Sequence, residues 1–490
     1  MNKKLILYMS LAGIAFLVIT CRKDETGSDY KGYPLEVGKI LLTKCAVAGC
    51  HTDKSKDAAN GLSLESWTSL FKGSRYGNTA VVPYRADLSF LMYFSNTYSD
   101  FGISNKPTMP PGQEPLSRDE MTTLRDWINA GAPARNGLIP FSPLSEHQQL
   151  FVINQGCDNV YNVDATTGSI MRCINVGGNP NAIESPHQIA MSRDGKYFFV
   201  CFYSGSVFQK FRIADGSLAG QVNIGQGSWN SFVTSPDDSL AFVVDWQADG
   251  KIAVVNIKNM TLLTSYSGSG LLQSPHGSAL KNNWLYVTSL PGNFIYKINV
   301  SDIYNPEFFQ LPLQPGEPIN IPPKYDPHAI HFSPDGTEYN VSCQKSNEVR
   351  FFSSVNDSLI AVVPVGKYPQ HPHYSSSTDY VFCTCEEDDV TFPGKTGSVY
   401  VINYKSHTVV SKIFTGWQPH GNMPDDMSGK VYILNRNVNP TGPAPHHSSA
   451  CGGRNGNMTA IDMKTLQLVP NYKPELGADP YYPAMAGHYH

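Results

Sequence analysis

The sequence predicts a small all-α domain followed by an all-β propeller of about seven blades, closed by the C-terminal strand. Three observations carry this. An amphipathic helix pattern with its own start and stop signals closes a first segment near Gly137. From Ser145 onward, short β-rich runs separated by turns recur every few dozen residues. The first of these units lacks an innermost strand, and the C-terminal stretch Asp479-Pro480-Tyr481-Tyr482-Pro483-Ala484-Met485 has the pattern of one. The chain therefore divides into a leader (1–21), a tether (22–31), a helical domain (32–137) and a propeller (145–490).

The leader begins with the basic stretch Met1-Asn2-Lys3-Lys4 and an apolar run from Leu5 to Ile19, too short for a comfortable membrane span. It ends Val18-Ile19-Thr20-Cys21, which resembles a bacterial lipobox. That resemblance makes Cys21 the lipidated first residue of the mature chain, an anchor that needs no spanning helix. The alternative is an ordinary signal peptide cut nearby, with Cys21 incidental. The following Arg22-Lys23-Asp24-Glu25 resembles the surface-export signal of Bacteroidetes lipoproteins. It implies an outer-membrane lipoprotein with its body at the cell surface; without that export, the body faces the periplasm. A solvated charged tether is the plainer reading of the same residues.

Composition narrows the function classes. Charged residues make up 16% of the chain and the net charge is −4, so no basic stripe for nucleic acid is present. Export places the cysteines in an oxidising compartment. Apart from Cys21, Cys45 and Cys50, seven cysteines stand at 157, 173, 201, 343, 383, 385 and 451. An odd number cannot all pair, so at least one is a thiol, a ligand or an intermolecular partner.

Within the helical domain, Gly38 to Lys44 reads as a helical turn delivering Cys45-Ala46-Val47-Ala48-Gly49-Cys50-His51. Covalent haem needs two thiols to reach its vinyl groups and an imidazole beside the second to ligate iron. The usual spacing leaves two residues between the cysteines; here there are four, small enough to loop out. A Cys45–Cys50 disulfide is the alternative. Downstream, Pro107-Thr108-Met109-Pro110-Pro111-Gly112 presents a methionine on a proline-stiffened loop, suited to be the second axial ligand. Ser117 then caps a helix with Glu120 three residues on, and Met121, Leu124, Trp127 and Ile128 repeat at helical spacing up to Gly131-Ala132-Pro133.

Taken in order, Cys45…Cys50-His51, Gly61-Leu62-Ser63-Leu64, Ser89-Phe90-Leu91, Thr108-Met109-Pro110-Pro111 and Leu124 to Ala132 resemble the planctomycete-type c-type cytochromes. The resemblance covers the whole helical domain. It implies one haem c bound through Cys45 and Cys50, with His51 and Met109 on the iron. His/Met ligation raises the reduction potential, which suits electron transfer.

In the propeller, units begin at Ser185-Pro186-His187, Ser274-Pro275-His276, Asp326-Pro327-His328, Pro372-His373 and Gln418-Pro419-His420. Each unit reads as an inner strand, a hairpin turn such as Asp194-Gly195, a second strand and two looser ones, which is a propeller blade. Phe151 to Gly156 and Leu285 to Ser289 resemble YVTN/YncE-like propellers. Aligned on the turn, the strand heads are His187, Asn230, His276, His328, His373, His420 and Tyr481, so five imidazoles ring one mouth of the channel. The second strands return to that face with Cys201, Cys343 and Cys383-Thr384-Cys385, and the last blade inserts His446, His447 and Cys451. Imidazole and thiolate favour copper, zinc or iron over hard cations, and copper foremost. The competing reading is structural: histidines that cap turns or bond across the channel.

Three functions fit these residues. The first is an electron-transfer protein whose partners are redox proteins of the envelope. The second is an oxidoreductase with a metal in the ring, served by the haem; the third is a docking platform with a haem sensor. The sequence leaves enzymatic activity open.

Overall fold

The computed structural model describes residues 30–319, 321–438, 451 and 454–485. Among them the first module holds four α-helices, Leu35–Ile40, Trp67–Leu70, Phe90–Ser95 and Arg118–Asn129. None is long and apolar enough to cross a membrane. The last helix has the expected capping box. Glu120 N donates to Ser117 Oγ (3.3 Å), and Ser117 N donates to the Glu120 carboxylate (2.7 Å). Its buried stripe of Met121, Leu124, Trp127 and Ile128 packs on Tyr33, Val37, Ile40 and Leu41. Glu120 also pairs with Lys44 at 2.7 Å, tying this helix to the π-helical turn Leu41–Cys45 that extends the first one.

The remaining chain forms a seven-bladed propeller of four-stranded antiparallel sheets. Blade 1 combines Gln149–Asn154, Asn159–Asp164 and Ile170–Asn175 with the C-terminal Pro480–Met485, which becomes its innermost strand. Leu150 faces Met485 and Asn154 faces Pro480, so the last strand closes the ring as the sequence pattern required. Blades 2 to 7 span 186–223, 229–266, 275–312, 327–364, 369–413 and 419–468.

The hairpin turns after several inner strands share one device. In blades 2, 3 and 5, Ser192, Ser235 and Ser333 donate to Asp194, Asp237 and Asp335 at 2.6–2.7 Å. Each aspartate also accepts a backbone N–H two residues on, the Asx pattern that fixes a tight turn. Between blades, alternate residues of facing sheets interdigitate into apolar layers, such as Phe151, Val160, Phe198, Val200 and Phe211 between blades 1 and 2.

The helical module docks on the seam where blades 7 and 1 meet. Val82 and Leu88 enter the layer formed by Tyr161, Ile170, Met458 and Tyr472. Around them, Ile170 N donates to Thr79 Oγ1 (2.7 Å) and Glu475 N to Asn78 Oδ1 (2.7 Å). The buried Arg454 guanidinium reaches the Leu88 carbonyl (2.7 Å) and lies over the Phe90 ring. A disulfide joins Cys157 to Cys451, closing a sequence gap of 294 residues between blades 1 and 7. Cys45, Cys50, Cys173, Cys201, Cys343, Cys383 and Cys385 are thiols.

Candidate functional site

The helical module contains a cavity of about 590 Å³, inside the range of roughly 300–1,000 Å³ that small-molecule and cofactor sites occupy. Cys45, Cys50, His51 and Met109 all line it, and apolar Leu62, Leu64, Ala80, Phe90, Leu91 and Phe94 complete much of the wall. Local backbone chemistry explains the convergence. Cys50 N donates to Val47 O (3.0 Å) and His51 N to Cys45 O (3.2 Å), so the four-residue spacer folds back on itself. Gly49 takes the left-handed φ of +84° that this turn requires. The wide spacing is thereby absorbed in a turn, and both thiols border the same cavity.

His51 is oriented from behind. Its Nδ1 donates to Leu62 O (3.2 Å) and its own carbonyl accepts from Leu64 N (2.8 Å). Burial holds the imidazole below its ordinary pKa, so it is neutral with the Nε2 lone pair available for a metal. Burial pushes the Cys45 thiol up to about 12, which keeps it protonated. On the cavity wall, Met109 is pinned through its amide to Phe94 O (2.7 Å). Two unpaired thiols, one oriented imidazole, one thioether and an apolar lining match the donor set of a covalently attached haem.

A second cluster fills the propeller channel. The strand heads pair in one register: Pro186 with Phe202, Pro275 with Ser289, Pro327 with Cys343, Pro369 with Cys385 and Pro419 with Asn435. The first ring of side chains is therefore His187, Asn230, His276, His328, Gln370, His420 and Tyr481. This corrects the alignment at blade 6. Gln370 heads its strand, and His373 lies three residues deeper, level with His331 of blade 5. A left-handed residue before six of the seven inner strands marks the same position: Ser185, Ser274, Asp326, Tyr368, Gln418 and Asp479.

His371 and His331, which the alignment missed, complete the cluster. Ring centroids lie 5.1 Å apart for His328 and His371, 5.0 Å for His371 and His420, and 4.2 Å for His331 and His373. The His276 and His328 rings lie 4.2 Å apart at a tilt of 39°, an approach permitted by Gly277, whose position would put a Cβ 2.4 Å from His328 O. Burial and mutual repulsion hold His187, His328, His371 and His420 well below the ordinary imidazole pKa, and burial takes His276 down to about 4. The imidazoles are neutral, and in His187 the Nδ1 lone pair accepts from Gln155 Nε2 (2.8 Å).

The thiols take no part in this ring. Cys201, Cys343 and Cys385 do end their strands near the strand heads, but their side chains pack in the apolar layers between blades. Strand alternation is the reason: Ser342 and Thr384 turn inward and donate to the carbonyls of Gln370 and His420, so Cys343, Cys383 and Cys385 turn away. Cys385 is thus removed as a candidate ligand. Cys451 is spent in the disulfide. Cys21, His446 and His447 lie outside the described residues.

No family model matches the chain, and no curated protein does. Solved structures do. A putative 6-phosphogluconolactonase from Bacteroides uniformis superposes with a TM-score of 0.50 at 13% identity, over 68% of this chain and 97% of that one. A functionally unknown protein from Desulfotomaculum acetoxidans gives 0.49 at 15% identity, over 68% and 99%. The dihydro-heme d1 dehydrogenase NirN, in complex with DHE, gives 0.49 at 11% identity, over 78% and 89%. At these identities the likeness concerns the propeller fold alone.

Proposed function

We propose that this chain is an envelope-anchored c-type cytochrome that transfers single electrons between redox proteins. The observation that carries it is the 590 Å³ cavity lined together by Cys45, Cys50, His51 and Met109. In this reading Cys45 and Cys50 would hold one haem c covalently, and His51 and Met109 would supply the protein ligands to its iron. When bound, the haem supplies a one-electron centre whose potential the His/Met pair raises. The Leu62 carbonyl fixes the tautomer and plane of His51. Phe90, Leu91 and Phe94 give the cavity an apolar wall, a setting that would suit electron transfer by the bound group.

The lipobox-like end of the leader supports attachment to the outer membrane through Cys21, and Lys23-Asp24-Glu25 supports a body at the cell surface. Electron donor and acceptor would then be proteins of the same envelope. The test is optical and electrochemical. Full-length protein matured with covalent haem is expected to show a sulfur-to-iron charge-transfer band in the ferric state. Met109→Ala is expected to lose that band and to lower the midpoint potential. A haem spectrum unchanged by Met109→Ala overturns the ligation, and no haem at all overturns the function.

A further inference from the structure

We infer that the propeller channel holds one transition-metal ion on His328, His371 and His420, with copper as the tightest-binding metal. The inference stands apart from the haem reading and rests on the channel alone. Potential ligand atoms of these three residues lie within 4.8 Å of one another, as do those of His331, His371 and His373. Metal–nitrogen bonds of about 2.0–2.1 Å in a tetrahedral site put ligand nitrogens about 3.3 Å apart, so ring shifts of about an ångström close it.

Orientation chooses between the two triads. His373 has both nitrogens engaged, with Asn422 Oδ1 at 3.3 Å and Tyr482 Oη at 3.2 Å. In the other triad, His420 Nδ1 donates to the Tyr481 carbonyl (3.2 Å), which leaves Nε2 as the ligand atom. His328 is 3% exposed, and its Nδ1, like that of His371, has no hydrogen-bond partner among the described residues. A buried ring nitrogen without a partner is costly unless something ligates it. Of the three, His371 alone also borders a cavity of about 30 Å³, which lies beside the triad and has room for a water. Asn230 lines the same cavity, 2% exposed, with neither amide atom bonded among the described residues.

On the hairpin side a funnel of about 490 Å³ approaches this region, and the small cavity shares Gln188, Ser278, Ile330, His331 and Tyr482 with its walls. The opposite end is closed by Arg436, which pairs with Glu386 (2.7 Å) and with both oxygens of Asp479 (2.7 and 2.9 Å) and lies over Tyr481. Neutral imidazole is a good ligand for copper, zinc, nickel and iron. Among divalent ions Cu²⁺ binds such sites most tightly, and the closed, oxygen-poor donor set disfavours Ca²⁺ and Mg²⁺.

The test uses haem-loaded, full-length protein stripped with a chelator and dialysed against Cu²⁺. Elemental analysis counts copper and haem iron separately, so a failure of either reading is recognised by itself. One copper per chain is expected, with electron paramagnetic resonance showing coupling to three nitrogens. His371→Ala, and independently His420→Gln, is expected to retain less than about a tenth of that copper. His187→Asn, which copies the residue blade 3 carries at Asn230, should retain it all. Circular dichroism identifies any variant that fails to fold, and the wild-type stoichiometry and nitrogen coupling then decide. Wild-type protein without bound copper, or His371→Ala and His420→Gln with wild-type copper, overturns the site.

Discussion

Replacing Leu88 with alanine tests whether the helical module and the propeller form one cooperative body. Leu88 belongs to the first module, yet its side chain is 1% exposed inside the layer between blades 7 and 1. Truncation removes three methylene-sized groups from a site walled by two sheets, and sheets paired on both sides collapse little. Leu→Ala changes in such settings cost about 2.7–5 kcal/mol, so a loss of about 3 kcal/mol is expected. The assay is hydrogen exchange across a urea series, read on peptides from Phe90–Ser95 and from Ile170–Asn175. Both sets should lose protection together, by about the same free energy. A loss below about 1 kcal/mol, or one confined to the helical peptides, would refute the shared core.

Asp426 supplies a pH dependence. Five contacts from Ser375, Ser376 and Ser377 outweigh its burial and hold its pKa down to about 2. Because the folded pKa is depressed, the stabilisation is complete above the unfolded value near 4 and is lost as pH falls from about 4 to about 2. The full effect of that shift is about 2.5 kcal/mol, which partial exposure reduces to about 1–2; Asp426→Asn should flatten stability across that window, measured by urea midpoints. Reducing the Cys157–Cys451 bond should cost about 2–4 kcal/mol. Thermal midpoints with and without reductant check this, and an unchanged midpoint shows that the bond does not contribute. Ser117→Ala, which removes half of the capping box, should cost about 1 kcal/mol, read as faster amide exchange confined to the first turn of Arg118–Asn129.

The propeller was legible because blade chemistry repeats: Ser192, Ser235 and Ser333 with their aspartates punctuate the chain, and Pro480–Met485 carries the inner-strand pattern out of order. The histidine ring was legible in four of its members. It failed at blade 6, where Pro369-Gln370-His371-Pro372-His373 offers two prolines and the histidine after the wrong one matched the motif. The interval to the turn was the usable signal. Pro186 precedes Asp194-Gly195, and Pro327 precedes Asp335-Gly336, by the interval that separates Pro369 from Ser377-Thr378. Cys385 was misjudged for another reason: the position of a strand end says which face of the propeller it reaches, whereas strand parity says where its side chain points. The docking of Val82 and Leu88 had no sequence signature, since an apolar residue in a loop reads the same whether its own module or a neighbour covers it.

Covalent haem attachment hinges on the cavity that gathers Cys45, Cys50, His51 and Met109. The intact mass of the full-length chain, expressed with a haem-maturation system and then denatured, tests it most directly. The expected result is a chain heavier by one haem, with the haem still attached after denaturation, and an unmodified mass for the Cys45→Ala, Cys50→Ala double variant. A denatured wild-type chain carrying no haem would contradict the account.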